Sequence, residues 1–348
     1  MHGGTPASAE DFASFPLFVV FKPLYTNGLY AVDLFFTLSG FIFYWLYSRP
    51  ISAGAVTSLN FFVLRFSRLY PLNFVTLLLV GLLQYLYFSR EGVFFVYQSN
   101  DAYHFFLNLL LMPSVGLETS YSFNGPVWSI SIEVVLYALF FLASRRVSTR
   151  PLLLAAISLV GFAIFYGVYP PIGRGLGSFF LGGCVWHAYD YLIRKGLGVI
   201  AARAFLGIVG CLWLASFAGS YFDLLSPAIA GRLGKRFLVL ILFPLTVLSL
   251  ALWESTGGTV WRRLTVIGEV SYSVYLWHFP LQLAFALAIG TGALRTSIVS
   301  SPLTLVLFLL ATACVSSVSY RYLEMPAQAA IRRWFKSDRT PPTPVRAR

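Results

Sequence analysis

Three short polar strings interrupt the apolar stretches of this chain, and they hold the residues best suited to chemistry. One contains Asp33, one contains Glu133 and one contains His278. An ionisable group in a lipid-spanning helix costs about 2.5–3.5 kcal/mol on insertion scales. A chain that carries this cost repeatedly is expected to use such groups for transport or for chemistry. The strings are residues 32–40, 128–133 and 271–280.

The composition requires that these strings lie in a membrane protein. The 348 residues are 58% hydrophobic and only 11% charged, whereas a soluble domain carries about 25% charged residues. An ordinary soluble enzyme is therefore excluded. The net charge of +12 does not indicate nucleic-acid binding, because the charges lie between the apolar runs.

The apolar runs predict an all-α, polytopic bundle of transmembrane helices. A helix of about 20 apolar residues crosses a hydrocarbon core of about 30 Å. A membrane barrel would need short alternating strands, and the runs do not alternate. Nine runs are long enough: about 29–47, 71–89, 127–144, 152–169, 176–193, 204–222, 237–253, 270–290 and 298–322.

Two further apolar runs are too short or too interrupted to span. Residues 12–25 contain two prolines and a lysine, and residues 104–117 contain Pro113 and end in a polar loop. Both are predicted to be re-entrant or interfacial segments.

The loop charges predict an outer N-terminus and an inner C-terminus. With that orientation, 18 of the 25 Lys and Arg residues fall in inner segments and 7 in outer segments. This asymmetry follows the positive-inside rule. If residues 104–117 also spanned, every later loop would invert and the asymmetry would disappear.

The cysteines indicate neither a metal site nor a disulfide framework. Cys184, Cys211 and Cys314 are far apart and lie within apolar runs. Metal sites and disulfide scaffolds use closely spaced or repeated cysteines. We therefore predict no metal, and we interpret these cysteines as small core residues.

Each candidate residue in the strings also has a structural interpretation. Asp33 and Glu133 are expected near the outer ends of their helices, where Asp33 could equally pair with a neighbouring helix. Glu133 lies deeper in its span than a capping residue would. His278 precedes Pro280, which kinks the helix, and a lone membrane histidine is often a helix–helix contact.

Two pairs of charged residues have spacings that place each pair on one helix face. Arg65 and Arg68 could clamp a phosphate, because arginine matches phosphate oxygens in a bidentate way. Their alternative role is positive-inside anchoring. Arg321 and Glu324 have the same spacing and could form a salt bridge.

The order of the polar motifs resembles acyltransferase family 3, the bacterial integral membrane O-acyltransferases. The resemblance covers about residues 28–330 and depends on five motifs rather than one. They are Val-Asp-Leu-Phe-Phe-x-Leu-Ser-Gly at 32–40, a basic segment ending in Tyr-Pro at 65–71, Trp-Ser-x-Ser-x-Glu at 128–133, Ser-Tyr-x-x-Tyr-Leu-x-His-x-Pro at 271–280 and Arg-x-x-Glu-x-Pro at 321–326.

The resemblance implies an enzyme of the bacterial inner membrane that uses a cytoplasmic acyl-CoA, usually acetyl-CoA, as donor substrate. No permanently bound cofactor is expected. The acceptor would be a hydroxyl of a surface polysaccharide or a lipid-linked sugar. The chain divides into an N-terminal segment (1–28), a membrane acyltransferase domain (29–330) and a basic, Pro-rich cytoplasmic tail (331–348).

The chain departs from the family pattern at its start. The family opens with a helix that carries an Arg and, about eleven residues later, a His favoured as the catalytic residue. Here His2 stands where that helix would end, and the Arg has no counterpart. We expect that the true start lies upstream and that His2 is the catalytic base. A truncated, inactive form is the other interpretation.

The resemblance and the residues together predict a division of roles. His2 would be the general base, with His278 in reserve. Glu133 or Asp33 would orient the imidazole or bind sugar hydroxyls. The CoA phosphates would be held by Arg65, Arg68 and Arg321.

A transporter or flippase without bond chemistry is the alternative from another class. Charged groups within spans fit that function equally well. The ordered motifs and the lack of a recognisable inverted repeat argue against it.

Overall fold

The computed structural model of the chain describes residues 15–146, 150–224, 234–257, 265–290 and 297–335. Within these ranges every regular element is helical and there is no strand. The predicted all-α fold class is therefore confirmed.

Eleven helical segments make up the described chain, and a short 3₁₀ turn joins the first to the second. Two of them, α9 and α11, contain an internal π-helical turn. The segments are α1 (Phe18–Asn27), α2 (Ala31–Ser52), α3 (Ser58–Glu91), α4 (Ala102–Leu109), α5 (Val127–Arg146), α6 (Pro151–Gly167), α7 (Pro170–Arg194), α8 (Gly198–Tyr221), α9 (Lys235–Ser255), α10 (Thr265–Ile289) and α11 (Pro302–Trp334).

Seven helical stretches in the described ranges are long and apolar enough to cross a membrane, and α1 and α2 count as one of them. The protein is therefore a multi-pass membrane protein. All nine predicted spans coincide with helices, but two do not reach that standard. Helix α6 has only 17 residues. Helix α7 is continuous, but its apolar sequence is interrupted by glycines and by the charged residues Arg174, Asp190 and Arg194.

Helix α3 is longer than the sequence predicts. It begins at Ser58 rather than near residue 71, and it continues through Pro71 to Glu91. Thr57 caps its first turn by accepting a hydrogen bond from the backbone N–H of Asn60 at 3.3 Å. The longer helix fixes the side chains of residues 65 and 68 on one rigid element, which matters for the site.

The two interrupted runs fold differently from each other. Residues 102–109 form the short helix α4, which does not span, as predicted. Asp101 caps it by accepting from the backbone N–H of His104 at 2.9 Å. From the other run, residues 18–27 form α1, which is kinked at Phe21 and continues through the 3₁₀ turn into α2.

Close backbone contacts between α2 and α7 form the centre of the bundle. A Cβ atom on Gly40 would lie 1.9 Å from the carbonyl oxygen of Phe179, and one on Gly182 would lie 2.0 Å from that of Thr37. Small residues allow membrane helices to approach this closely. Fully buried aromatic side chains fill the space beside this contact: Tyr44, Phe61, Phe140, Phe179 and Phe180.

Candidate functional site

Three arginines meet where the first half of α3 faces the end of α11. Arg65 and Arg68 come from α3, and Arg332 comes from α11, where its Nε donates to Ser67 Oγ at 3.0 Å. The charges of Arg65 and Arg68 both act on Arg332. We call Arg65, Arg68 and Arg332 the arginine cluster. Like charges held together in this way favour the binding of an anion between them.

Arg65 is fixed by aromatic rings. Its guanidinium lies 5.0 Å from the ring centroids of Phe43 and Tyr47 and 6.0 Å from that of Tyr137. It also donates to the Tyr47 hydroxyl at 2.7 Å. Its Nε is buried without a hydrogen-bond partner in the described structure. The side chain is thus held in place with one donor still unsatisfied.

Arg68 has the fewest direct contacts of the three arginines. It makes no hydrogen bond or salt bridge with any residue that the structure describes. Its charge acts on the carboxylates of Glu133 and Glu324 and on the hydroxyl of Tyr272. A guanidinium with five N–H donors and no direct partner is suited to an anionic ligand.

Glu133 borders the arginine cluster, although the sequence predicts this residue near the outer end of its helix. It accepts a hydrogen bond from the hydroxyl of Tyr137, one turn later on α5. The charges of Arg65 and Arg68 reach its carboxylate. The structure therefore brings together three residues that the sequence singled out.

A chain of hydroxyls extends from Glu133 along the same face of α5. Ser129 lies four residues earlier, and its Oγ donates to the Tyr275 hydroxyl at 2.9 Å. Tyr275 in turn donates to the carbonyl oxygen of Pro126 at 2.8 Å. These groups connect the second and third polar strings directly.

His278 presents one open ring nitrogen. Its Nδ1 lies 2.6 Å from the carbonyl oxygen of Tyr275. Because a carbonyl only accepts, this contact assigns the proton of the neutral ring to Nδ1. The Nε2 then carries a lone pair, and no described residue bonds to it. A histidine oriented in this way can accept a proton from a substrate.

Asp33 forms an ion pair with Arg174 on α7. Pairing with a neighbouring helix was one of the two roles that the sequence allowed for Asp33. The Nη2 of Arg174 lies 2.6 Å from Asp33 Oδ2, and its Nε lies 3.3 Å from Oδ1. Asp33 is 1% exposed. Arg174 also stacks on the Trp128 ring at 5.2 Å. Asp33 is thus separated from the arginine cluster and lies at the opposite end of the α5 face.

Arg174 lies between the predicted spans 152–169 and 176–193, so it was counted among the seven basic residues of the outer loops. The structure puts it in the second turn of α7, which starts at Pro170. Proline is favoured at the first position of a helix, so Pro170 and Pro171 could have predicted that α7 begins before Arg174. No local pattern, however, indicates that a residue on α7 faces Asp33 on α2.

Arg321 and Glu324 do not form the salt bridge that their spacing allowed. Arg321 is exposed, and its guanidinium lies over the Tyr322 ring at 5.9 Å. Glu324 is buried and accepts from Ser273 Oγ at 2.5 Å and Ser319 Oγ at 3.4 Å. The π-helical turn at Tyr320–Glu324 changes the spacing on which the prediction depended.

The third cation of the cluster was not found from the sequence. Arg332 lies in the segment that the sequence assigned to a basic tail, but the helix continues to Trp334. The predicted base His2 lies outside the described residues.

The assembled site is a polar strip across a helical membrane bundle. It runs from Arg174 past Trp128, Ser129 and Glu133 to the arginine cluster, and residues 128–137 of α5 cover about 14 Å of it. The arginine cluster supplies cations at one end, and the Asp33–Arg174 ion pair lies at the other. The carboxylate of Glu133, the hydroxyls of Ser129 and Tyr275 and the imidazole of His278 lie between or beside them. Such a site suits transfer between an anionic donor and a hydroxyl acceptor.

The family comparison agrees with this site. The family model for the acyltransferase domain of acyltransferase family 3 matches residues 1–321. The chain belongs to that family, and it is therefore an acyltransferase. The resemblance inferred from the five motifs is confirmed.

Three curated relatives are similar to the chain. ORF330 of Acidianus two-tailed virus, which is named as an acetyltransferase, is 24% identical over 276 residues (76% of this chain, 74% of the viral protein). Peptidoglycan O-acetyltransferase OatA of Listeria monocytogenes is 24% identical over 336 residues (86% of this chain). Protein 2 in the picA locus of Rhizobium radiobacter is 30% identical over 145 residues (37% of this chain, 74% of that protein).

The chain aligns with only about half of OatA, since the match covers 51% of that protein. No solved structure matches this chain. The comparisons therefore establish the family and the general reaction class, and the substrates belong to the proposal that follows.

Proposed function

We propose that the chain transfers an acetyl group from a cytoplasmic acyl-CoA to a hydroxyl of a surface polysaccharide or lipid-linked sugar. The enzyme would lie in the bacterial inner membrane with nine spans, its N-terminus outside and its C-terminus inside. The name of the Listeria relative, a peptidoglycan O-acetyltransferase, supports both the acetyl group and a carbohydrate acceptor.

The observation that carries the proposal is the arginine cluster. Arg65, Arg68 and Arg332 come together on two helices, and Arg68 has no ion-pair partner among the described residues. Coenzyme A carries several phosphate charges, and arginine binds phosphate oxygens with short, charge-assisted hydrogen bonds. These residues would hold the donor phosphates, and Arg321 remains the further arginine that the sequence predicts for this role.

The reaction needs one proton acceptor and one site for the hydroxyl. The acceptor oxygen attacks the thioester carbonyl carbon, the C–S bond breaks, and the hydroxyl proton passes through the base to the departing thiolate. His278 can serve as the base through its open Nε2, and His2 remains the other predicted base. Glu133 would orient the imidazole or bind a sugar hydroxyl from its position beside the cluster.

Acyl transfer from labelled acetyl-CoA tests the donor site. We expect Arg68→Gln to raise the KM for acetyl-CoA about tenfold or more, because a hydrogen bond to a charged group contributes about 1.5–3 kcal/mol. Arg203→Gln removes an exposed arginine of α8 and serves as the matched control. An unchanged KM in Arg68→Gln, with folded protein, would leave membrane anchoring as the role of this arginine.

A further inference from the structure

A cavity lined by both charged and apolar side chains lies beside the Asp33–Arg174 pair, at the end of the bundle opposite the arginine cluster. It has a volume of about 200 Å³, and its wall is formed by α2, α6, α7 and α9. A cavity needs about 10–15 Å³ of volume measured in this way to hold one water molecule, so this one has room for a small polar group with part of its ester.

Three cations and one carboxylate line this cavity. The cations are Arg174, Lys235 and Arg236, and the carboxylate is Asp33. Asp33 neutralises Arg174 through their ion pair. Lys235 and Arg236 make no salt bridge with any described residue, so two positive charges remain without a counter-charge in this part of the chain.

Aromatic rings hold these cations at the cavity. Lys235 Nζ lies 5.6 Å from the centroid of the Tyr30 ring. The Arg236 guanidinium lies 4.9 Å from the Tyr166 ring, and its Nε donates to the Tyr166 hydroxyl at 3.3 Å. Cation–π contacts of this kind orient a charge without neutralising it.

We propose that this cavity binds a phosphate ester group. A phosphate monoester carries about −1.5 to −2 charges at pH 7, which matches the two uncompensated cations. Arginine and lysine are the usual phosphate ligands, and the aromatic wall offers apolar surface to the rest of the ester. The phosphate belongs either to a sugar phosphate, which is a monoester, or to a lipid headgroup, whose phosphate is a diester of lower charge. Both sources offer phosphate oxygens that Lys235 and Arg236 can bind.

Direct binding measurements on the full chain in a neutral maltoside detergent test this assignment. Glucose 1-phosphate is titrated calorimetrically, with glucose as the uncharged comparison. Phosphatidylglycerol binding is followed by native mass spectrometry. No acyl donor is present, so the outcome is independent of the proposed acyl transfer.

We expect the wild type to bind at least one of the two phosphate probes and to bind glucose more weakly. The double variant Lys235→Gln/Arg236→Gln should lose about tenfold or more in affinity, since each charged donor contributes substantially. Arg203→Gln, which removes an exposed charge elsewhere, and the charge-conserving Lys235→Arg/Arg236→Lys should keep the affinity. Added salt should weaken binding by screening.

The two probes separate the sources of phosphate. Binding of the sugar phosphate that depends on Lys235 and Arg236 identifies a phosphorylated sugar as the ligand class. If only the binding of phosphatidylglycerol depends on Lys235 and Arg236, the ligand is a lipid headgroup. Equal affinity in the wild type and the double variant, or no binding of either probe to the wild type, would overturn the assignment.

Discussion

His278 is oriented by a hydrogen bond and Arg68 is placed by its helix, and each has a polar group that bonds to no described residue. The Tyr275 carbonyl orients the His278 ring, and no described residue occupies its Nε2. Arg68 is placed by the rigid helix α3 and influenced by two carboxylates without contacting either. A buried or half-buried polar group is normally satisfied, so an open one at a polar strip indicates a place for substrate.

Replacing His278 by asparagine tests its role as a base. The asparagine amide can still donate to the Tyr275 carbonyl, but it has no basic nitrogen. We expect kcat for acyl transfer to fall about 10²–10⁴-fold, the usual contribution of positioned acid–base catalysis, with little change in the KM for acetyl-CoA. The pH dependence of the residual activity should flatten as well.

The comparison with His2→Ala decides between the two predicted bases. If His278→Asn retains activity and its pH profile while His2→Ala loses both, the base is His2. A loss of folded protein, measured by size-exclusion chromatography, would call for His278→Gln, which also carries an amide donor and has no basic nitrogen.

The sequence identified the charged residues of the site, but it did not identify all of the residues that they contact. Asp33, Glu133, Arg65 and Arg68 were found because a charge in an apolar run is visible without any structure. Their partners were missed where the pairing joins distant helices, as for Arg174. A side chain's partner depends on how the helices pack, and local spacing carries no information about that.

At the scale of elements, the contact between α2 and α7 explains a residue of the first motif. Gly40 ends the string 32–40, and its Cα faces the backbone of Phe179 on α7. We expect Gly40→Ala to destabilise the protein by about 1–3 kcal/mol or more, the usual cost of overpacking, because a backbone oxygen cannot move aside. Thermal unfolding in detergent measures this loss.

Gly207→Ala is the matched control for this prediction. Gly207 lies within α8 and has no neighbouring atom within 4 Å of an added Cβ. Alanine there should be neutral or stabilise by about 0.5–1 kcal/mol, because glycine weakens a helix interior. Equal stability of Gly40→Ala and the wild type would show that the two helices can separate without cost.

The cap of α4 gives a pH-dependent prediction outside the spans. The backbone N–H of His104, followed by its ring, donates to Asp101 and holds the pKa of that carboxyl below its ordinary 3.8. The cap therefore stabilises α4 above that pH, and its contribution is lost as pH falls through the lowered pKa. Asp101→Ala should cost about 0.5–2 kcal/mol of local stability at neutral pH.

Hydrogen exchange across 102–109 measures this effect. Asp101→Asn is the control, since asparagine caps a helix about as well as aspartate but does not titrate. We expect the asparagine variant to lack the acid-induced loss of protection. The same loss in both proteins would assign it to another group.

Helix type was predictable from apolar length, whereas helix ends were not. The run near 71–89 is the apolar part of α3, but the helix starts at Ser58 because Thr57 caps it and the polar residues after it remain helical. The final helix likewise continues past 322 to Trp334. Both extensions place members of the arginine cluster on rigid elements, so the ends missed by hydropathy are the parts that form the site.

For the whole molecule, contacts among the ends of α2, α5 and α7 define one side of the bundle. Arg49 on α2 and Arg194 on α7 both pair with Asp190, at 3.1 and 2.9 Å, and Ser52 donates to the carbonyl of Ser144 on α5 at 2.7 Å. These ends share one side of the bundle. Their loops carry much of the positive charge that the positive-inside rule assigns to the cytoplasm.

Cysteine labelling in intact cells tests this orientation. The three native cysteines are first replaced by alanine. Ala55→Cys then places a thiol in the exposed loop between α2 and α3, and Leu117→Cys places one at a side chain that is 57% exposed in the loop before α5. We expect an impermeant maleimide to label residue 117 from outside and residue 55 only after the cells are opened.

Each position is a control for the other, because both carry an introduced cysteine and they are expected on opposite sides of the membrane. Labelling of residue 55 from outside, with residue 117 protected, would invert the bundle. The arginine cluster would then face away from the cytoplasm, where acyl-CoA is made, and its role in binding a cytoplasmic donor would be refuted. The phosphate cavity at Lys235 and Arg236 would in that case lie on the cytoplasmic side, and its ligand would have to be sought there.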